Sequence, residues 1–537
     1  MGVGASQATR LGYARTRALA PLAVAVVVSA VPAVLTIVLV HGWLDAGVRD
    51  FTPSVWNDQL GYWHRIASFA EVGLDTGYYS PNESDPPFEP VRYGVHGPWF
   101  PAVYGTIAAV IGWGPATSIF VNMAVLGLGF IAFVVLAELG LRGTLLAGAV
   151  LATFWPVLLY VPTASQESLH QGLAMAIAGI FVRALRRGPQ LSAPEKAGGV
   201  ALIVAAGVIR YSWLLLVPCL ILLLAERITA RRIAAAFGVV TLLVLAAVQL
   251  TGAVQPPGQN AAVDSLSRLT SDPSEAVTTF ARSTWANLKV FLYPGALDPT
   301  APTYRERFSL DFTGVQSWQI VGLVALVALA LLAQWHTRLR LPLEMGTIAP
   351  REALFHLVNL GAMTLAAFAL YIPNGYYRVL GAHLLLSMLV FVAFRRIGAV
   401  AVVAVLNVVM LPSFLAAYDR WEPNFHLDQR ALARQRAEFS RLVRYDGDAA
   451  NPWCNTLLLP LELYDWRVTL VPPGIGISYP LVADIPLPPK SRYLLLTDDP
   501  TSFAAQIDRS RLKPLRSFPA GTLYENPDSR CFRRAAA

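Results

Sequence analysis

Long stretches without charged residues constrain this chain most. Residues 18–43 and 233–254 contain no Asp, Glu, Lys or Arg, and each is long enough to cross the roughly 30 Å hydrocarbon core of a bilayer as a helix. Only 14% of the 537 residues are charged, against about 25% in an average soluble domain. The sequence therefore predicts a polytopic membrane protein rather than a soluble globule.

Eleven apolar segments have the length of a membrane span or most of one. Arg10, Arg15 and Arg17 precede the first, which is too long for the core of a cleaved signal peptide and is read as an uncleaved signal anchor. A twelfth run, 99–113, is too short to span and is predicted to be interfacial or re-entrant. The eleven predicted spans lie near 17–41, 116–138, 144–162, 169–184, 197–209, 212–225, 233–253, 317–335, 353–372, 379–394 and 397–416.

The distribution of basic residues gives the predicted orientation. With the N-terminus inside, the cytoplasmic segments contain sixteen Lys and Arg, whereas the short outer turns contain two, Arg210 and Arg378. The net charge of +8 is then an orientation signal, and we expect no nucleic-acid partner. Three large pieces face outward: loop one (42–115), a second loop (254–316) and the tail after residue 416.

The predicted fold class is an all-α polytopic membrane protein with a small extracytoplasmic α/β domain. The transmembrane module comprises residues 1–416 and the C-terminal domain residues 417–537, in which short apolar runs alternate with Pro/Gly turns. Cys454 and Cys531 both lie in this tail. A disulfide between them suits an oxidising compartment, although the sequence alone does not bring the two cysteines together.

Loop one contains the densest group of acidic and aromatic residues. If a helix starts near Trp56, then Asp58, Tyr62 and Arg65 share one face, with Asn57 at its start. The opposite face, with Leu60 and others, would meet lipid or protein. A carboxylate held there suits a general base that takes a proton from an attacking hydroxyl or amine. The competing interpretation is that Asp58 only caps or solvates an interfacial helix.

The outer turns supply isolated cations and one further carboxylate. Arg210 and Arg378 suit a lipid phosphate at the outer leaflet, the alternative being cations that snorkel to the headgroups. Arg305, in the second loop, is a candidate lid residue. Glu167 either orients an acceptor or caps a helix.

Metal binding is the weaker interpretation of the acidic and histidine residues in loop one. His64 and His96 are candidate partners of Asp58, but no further acid or close histidine pair accompanies them. We therefore predict no metal site, while a divalent cation stays open as a cofactor.

These features together resemble the polytopic C-type glycosyltransferases, the superfamily of protein O-mannosyltransferases and of the lipid A aminoarabinose transferase. The resemblance rests on Asn57-Asp58, on His96-Gly97-Pro98-Trp99, on the polar turn 165–168 and on Arg210 at a hairpin tip. It covers roughly residues 17–232. The sequence departs from the family pattern at Asn57, where a second acid is usual, and at Gly97, where a proline is usual.

The resemblance implies an integral transferase of a bacterial plasma membrane, with its site on the extracytoplasmic face. It would move a sugar from a polyprenyl-phosphate donor to a lipid, glycan or protein acceptor with inversion. Asp58 would be the base. The substrate-binding residues would be Asn57, Tyr62, Arg65, His96, Glu167, Arg210, Arg305 and Arg378.

A transporter or flippase for lipid-linked sugars is the main alternative, because eleven spans suit it equally well. Ion-coupled carriers usually place ionisable groups at mid-membrane, whereas this chain places nearly all its charges at helix ends. No internal repeat is evident either. A non-catalytic scaffold would leave the composition of loop one unexplained.

Overall fold

The fold is taken from a computed structural model of the full chain. It describes residues 20–54, 57–74, 80–81, 83, 97–254, 271–292, 349–370, 376–396, 400–401, 404–405, 407–408, 411–445, 447, 451–460, 463–479, 488–498 and 506–532. The predicted span at 317–335 and the site candidates His96 and Arg305 lie outside these residues.

Helices make up most of the described chain. In chain order they are α1 Val31–Gly42, α2 Asn57–Val72, α3 Trp99–Ile111, α4 Thr117–Leu136, α5 Leu141–Thr153, α6 Trp155–Tyr160, α7 Glu167–Arg187, α8 Ala193–Ile209, α9 Leu216–Leu223, α10 Ala230–Val254, α11 Pro273–Leu292, α12 Pro350–His356, α13 Met363–Leu370, α14 Tyr376–Ala393, α15 Leu411–Tyr418 and α16 Gln429–Leu442.

Five described helical stretches are long and apolar enough to cross a bilayer, which makes the chain a multi-pass membrane protein. They are Ala20–Gly42, Thr117–Leu136, Glu167–Gln190, Ala230–Ala247 and Pro350–Ala369. Shorter apolar helices accompany them, and Trp99–Ile111 has only 13 residues, too few to cross comfortably. The predicted span 144–162 is broken at Phe154, where α5 ends before the proline-containing α6 begins. The full count of eleven stays a prediction.

Ion pairs and a hydrogen bond connect the helix ends at one end of the bundle. The arginines that make these contacts all belong to segments predicted to be cytoplasmic, as the predicted topology requires. Which side of the membrane this end faces remains a prediction. The contacts are Arg187–Glu138 (2.7 Å), Arg183–Glu195 (2.8 Å), Arg396–Glu352 (2.8 Å) and Arg351 Nη2 to the carbonyl of Ala225 (3.0 Å).

Close packing between α4 and α7 fixes the centre of the bundle. A Cβ atom at Gly129 would lie 2.5 Å from the carbonyl oxygen of Gly172, and a Cβ atom at Gly172 would lie 2.7 Å from Cγ1 of Val125. Small residues allow helix backbones in a membrane to approach this closely. The N-terminus of α7, which begins with Glu167, is thereby held at the end of the bundle opposite the ion pairs.

The tail forms a six-stranded sheet together with two residues from loop one. Its strands are β1 Ser80–Pro81, β2 Thr456–Leu458, β3 Gly476–Tyr479, β4 Tyr493–Leu496, β5 Lys513–Phe518 and β6 Gly521–Glu525, in the order β1-β3-β2-β4-β6-β5. The first four in that order pair in parallel, and β6 pairs antiparallel with β4 and β5. The apolar run 467–471 lies largely in a 3₁₀-helical stretch, Trp466–Leu470.

Glu83 fixes loop one to the tail. Its buried carboxylate accepts hydrogen bonds from the backbone N–H groups of Lys490 (2.5 Å) and Ser491 (3.0 Å) and from the Ser491 hydroxyl. Its own N–H donates to the hydroxyl of Ser478. Loop one is therefore part of the tail's packing.

The disulfide between Cys454 and Cys531, left open by the sequence, is present. It closes a loop of 77 residues around the sheet. Replacing both cysteines by serine is expected to reduce the free energy of unfolding of the tail by roughly 2–5 kcal/mol, because the unfolded tail gains conformational freedom. Chemical denaturation followed by tail-specific proteolysis measures the loss.

Cys219→Ala is the matched control for this change, since Cys219 is a buried free cysteine in α9. It leaves the disulfide intact and should leave tail proteolysis unchanged. Equal protection of the wild-type tail and the double serine variant would contradict a stabilising role.

Candidate active site

Helix α2 lies between the tail and the bundle, with side chains buried on both sides. Leu60 packs into the core of the tail, the Nε2 atom of His64 lies 3.3 Å from the carbonyl oxygen of Pro472, and the Ser68 hydroxyl accepts from the N–H of Gly474 at 3.1 Å. These three residues recur every four positions, so one stripe of α2 faces the tail. The helix is thus a shared element of the two parts, and that stripe meets protein rather than lipid.

The opposite stripe of α2 contributes to an aromatic cluster on the bundle side. Tyr62 and Phe100 meet edge to face with ring centroids 5.0 Å apart. This cluster, called here the α2–α7 cluster, consists of Tyr62, Ile66, Phe100, Tyr104, Ala108, Val121 and Leu169, with Ile209 packed against it.

Glu167 and Arg210, which the sequence identified separately, form a buried ion pair. The guanidinium Nη2 lies 3.1 Å from Oε1 of Glu167, and the side chains are only 7% and 2% exposed. Glu167 is the first residue of α7, and Arg210 ends α8 with an extended backbone. Arg210 is too buried to be a snorkelling cation.

Asp58 lies in the first turn of α2 and is partly buried. It precedes Tyr62 by about one turn, and Tyr62 shares the α2–α7 cluster with Leu169 and Ile209, the near neighbours of Glu167 and Arg210. The fold therefore brings the start of α2 toward the ion pair. Arg65 is 5% exposed and lies about two turns along α2 from Asp58.

Two further candidates are placed only by their backbone. Asn57 is the first residue of α2, and Arg378 lies in the first turn of α14. Helix α14 packs against α7. Arg378 precedes His383 by five residues, or roughly 7.5 Å along the helix axis, and His383 contacts the turn that follows Arg210. Arg378 therefore lies toward the same end of the bundle as the ion pair.

A buried polar network, absent from the predicted site, supports the turn after Arg210. His383 Nδ1 lies 2.7 Å from Oδ1 of Asn359, and its Nε2 lies 3.3 Å from the hydroxyl of Ser212. Its ring stacks on Trp213 at 4.4 Å, and the Trp213 indole N–H donates to His170 Nδ1 at 3.0 Å. Since His170 follows Glu167 by about one turn of α7, the network links the residues on either side of the ion pair.

The sequence contained a signal for this network. His170, His356 and His383 all lie within apolar helical segments, and ionisable residues inside membrane segments mark functional positions. Asn359, which also donates to the carbonyl of His383 and to Ser387, lies in a π-helical segment, Leu357–Ala362. Such segments are frequent at functional sites, but periodicity alone does not reveal them.

The described residues do not bring His64 and Asp58 to one metal ion. His64 is directed at Pro472 and lies about a third of a turn around α2 from Asp58. Within the described chain, no group of three or more His, Cys, Asp and Glu side chains could hold a metal.

Burial of His64 makes the α2–tail contact sensitive to pH. Its pKa is lowered from 6.5 to about 4, mainly because burial removes the imidazolium from water, with the charge of Arg65 acting in the same direction. Between pH 4 and pH 6.5, the folded chain therefore binds fewer protons than the unfolded chain. Stability present above pH 6.5 should be lost as the pH falls toward 4, by up to about 3 kcal/mol.

Hydrogen exchange of α2 and of residues 472–474, corrected for intrinsic rates at pH 7 and 5, measures this loss. His64→Gln is the comparator, because its amide can still donate to Pro472 but does not titrate. Glu83, whose pKa is raised by burial, titrates in both proteins with the opposite sign and cancels in the comparison. An identical pH dependence in the two proteins would exclude His64 as the source.

Comparison with known proteins yields one distant structural likeness. No family model matches the sequence, and no curated protein matches it. The crystal structure of ArnT from Cupriavidus metallidurans in the apo state superposes with a TM-score of 0.40 and 14% identity, over 91% of this chain and 97% of that chain. At this TM-score and identity, the likeness identifies neither a fold nor an activity.

Proposed function

We propose that the chain is a membrane glycosyltransferase of the C type, which transfers a sugar from a polyprenyl-phosphate donor to an extracytoplasmic acceptor. The observation that carries the proposal is the buried Glu167–Arg210 pair beside the α2–α7 cluster, at the end of the bundle opposite the basic ion pairs. Helix α2, which bears Asp58, separates this region from the tail. We place that end at the outer face of a bacterial plasma membrane.

The proposed reaction is a single displacement. A hydroxyl or amine of the acceptor attacks the anomeric carbon, the bond from that carbon to the phosphate oxygen breaks, and polyprenyl phosphate leaves with the electron pair. Asp58 accepts the proton that the acceptor loses. One displacement inverts the anomeric configuration. The acceptor belongs to a lipid, glycan or protein.

Charge balance supports Arg210 and Arg378 as phosphate contacts. Glu167 already compensates Arg210 at 3.1 Å. A sugar phosphodiester adds one negative charge, which a second guanidinium can balance. Arg378, at the start of α14, is a cation that the fold places toward this end, so Arg210 and Arg378 can offset Glu167 and one phosphodiester.

A flippase for lipid-linked sugars is the second candidate, and the buried histidines favour it. His356 and His383 lie inside apolar helical segments and connect through Asn359 and Ser387, an arrangement that also suits a proton pathway. A flippase, however, would move the donor lipid without breaking the sugar–phosphate bond. Donor cleavage therefore separates the two candidates.

The test uses the full-length protein in nanodiscs, with polyprenyl phosphates carrying mannose, glucose, arabinose or aminoarabinose. Each donor is offered with lipid, glycan and peptide acceptors, with and without a chelator because a divalent cation stays open as a cofactor. A transferase releases free polyprenyl phosphate and forms a glycosylated acceptor of inverted configuration. Reorientation of intact donor in proteoliposomes, with no cleavage of any donor, would favour the flippase.

A further inference from the structure

Gln59, the residue after Asp58, is buried in a way that its packing does not explain. Its side chain is completely buried, and neither its amide nitrogen nor its amide oxygen has a hydrogen-bond partner within the described chain. A buried amide without partners costs folding free energy that an apolar side chain of the same shape would not cost. Such an orphaned group in a native fold calls for a ligand or ordered water.

Gln59 lies on the bundle side of α2. It precedes Tyr62 by three residues and Ile66 by seven, so the three side chains follow one stripe of the helix. Tyr62 and Ile66 belong to the α2–α7 cluster together with Leu169 of α7. The amide of Gln59 is therefore within about one turn of the residues that α2 contributes to the α2–α7 cluster.

The start of α7 contributes the same kind of group to this region. The hydroxyls of Ser165 and Ser168 are fully buried and have no hydrogen-bond partner among the described residues. Both serines lie within one turn of Leu169, the α7 member of the cluster. They flank Glu167, whose charge is already compensated by Arg210.

The chemistry of these groups points to a neutral ligand rich in hydroxyls. An amide and two hydroxyls supply both donors and acceptors and no net charge. A phosphate would use only the donors of this set and would leave the amide oxygen of Gln59 without a donor. Sugar hydroxyls both donate and accept, so they match this set.

We infer that Gln59, with Ser165 and Ser168, forms the subsite that hydrogen-bonds the hydroxyls of the transferred sugar. The assignment rests on the proposed sugar transfer and adds the residues that distinguish one sugar from another. A site built to hydrogen-bond substrate hydroxyls discriminates strongly against analogues that lack them, because its polar groups then stay unpaired. Asp58, one residue away, would act on the acceptor beside this sugar.

The first test needs no substrate and compares thermal unfolding of the purified protein. Gln59→Met should leave the midpoint unchanged or raise it, because the wild-type amide has no partner among the described residues. Asn122→Leu is the contrasting control, since its amide accepts from Tyr104 and donates to the carbonyls of Val161 and Thr163, so its midpoint should fall. A fall for Gln59→Met as large as that for Asn122→Leu would show a structural role and overturn the assignment.

The second test compares farnesyl phosphate carrying mannose, glucose or arabinose with bare farnesyl phosphate. In the wild-type protein, the preferred sugar lipid should raise the unfolding temperature more than bare farnesyl phosphate does. In Gln59→Met this extra rise should disappear while the response to the bare lipid persists, and KM for the sugar donor should increase about tenfold or more. Ser168→Ala should likewise reduce the extra rise in unfolding temperature and increase KM for the sugar donor.

Different results would overturn the proposed transferase and the proposed sugar subsite. If no donor is cleaved by the wild-type protein, the proposed transferase fails. If transfer is intact but Gln59→Met and Ser168→Ala keep the wild-type KM and sugar preference, only the subsite is overturned, and the buried amide and hydroxyls are then occupied by water.

Discussion

Glu167→Gln is expected to destabilise the folded chain by about 3–5 kcal/mol, because it removes one partner of a buried ion pair. The two side chains are almost completely buried and their charged atoms lie 3.1 Å apart. Glutamine matches glutamate in size, so the change removes charge without creating a cavity. Denaturant-induced unfolding in detergent, followed by tryptophan fluorescence, measures the effect.

Glu138→Gln is the control for this prediction. Glu138 pairs with Arg187 at 2.7 Å, but the side chains are 48% and 45% exposed, and exposed ion pairs contribute only about 0–1 kcal/mol. The double variant Glu167→Gln/Arg210→Gln should recover part of the stability lost in Glu167→Gln, because no unpaired charge remains. Equal small losses for Glu167→Gln and Glu138→Gln would contradict the buried pair.

Asp58→Asn is expected to reduce sugar transfer by about 10²–10⁴-fold, the usual contribution of a general base. Asparagine preserves the size of the side chain but cannot accept the proton from the acceptor. The loss should appear in kcat rather than in KM for the donor, since the base acts on the acceptor in the transition state. Release of polyprenyl phosphate by the purified variant measures it.

Glu71→Gln provides a matched charge change on the same helix, in the exposed last turn of α2. It should leave transfer close to the wild-type rate. Protection of α2 from hydrogen exchange should be the same in both variants and in the wild type. Full activity of Asp58→Asn would remove Asp58 as the base and leave the fold unaffected.

The sequence predicted a multi-pass helical membrane protein because hydropathy and charge act locally. A charge-free helix needs lipid. Basic residues collect at one end of the bundle, where Arg183, Arg187 and Arg396 pair with glutamates and Arg351 donates to a carbonyl oxygen. Likewise, Cys454 and Cys531 were recognised as a candidate pair. Only the folded chain shows that they meet.

Contacts between segments that are distant in the sequence could not be predicted from local patterns. Glu167 and Arg210 were each singled out, but they are 43 residues apart, and no local pattern indicates that they pair. Strand β1 has only two residues, so its place in the tail sheet was not predictable from alternation. The burial of Gln59 could not be predicted, because a glutamine on an interfacial helix is ordinarily solvated, whereas Gln59 is buried on the bundle side of α2.

The most direct test of the account is a cryo-EM structure of the full-length protein with polyprenyl phosphate bound in nanodiscs. Density for the phosphate should lie at the end of the bundle that bears the Glu167–Arg210 pair, within reach of Arg210 and Arg378 and next to the start of α2. Density for the phosphate at the opposite end, among Arg183, Arg187 and Arg396, would contradict the proposed transferase.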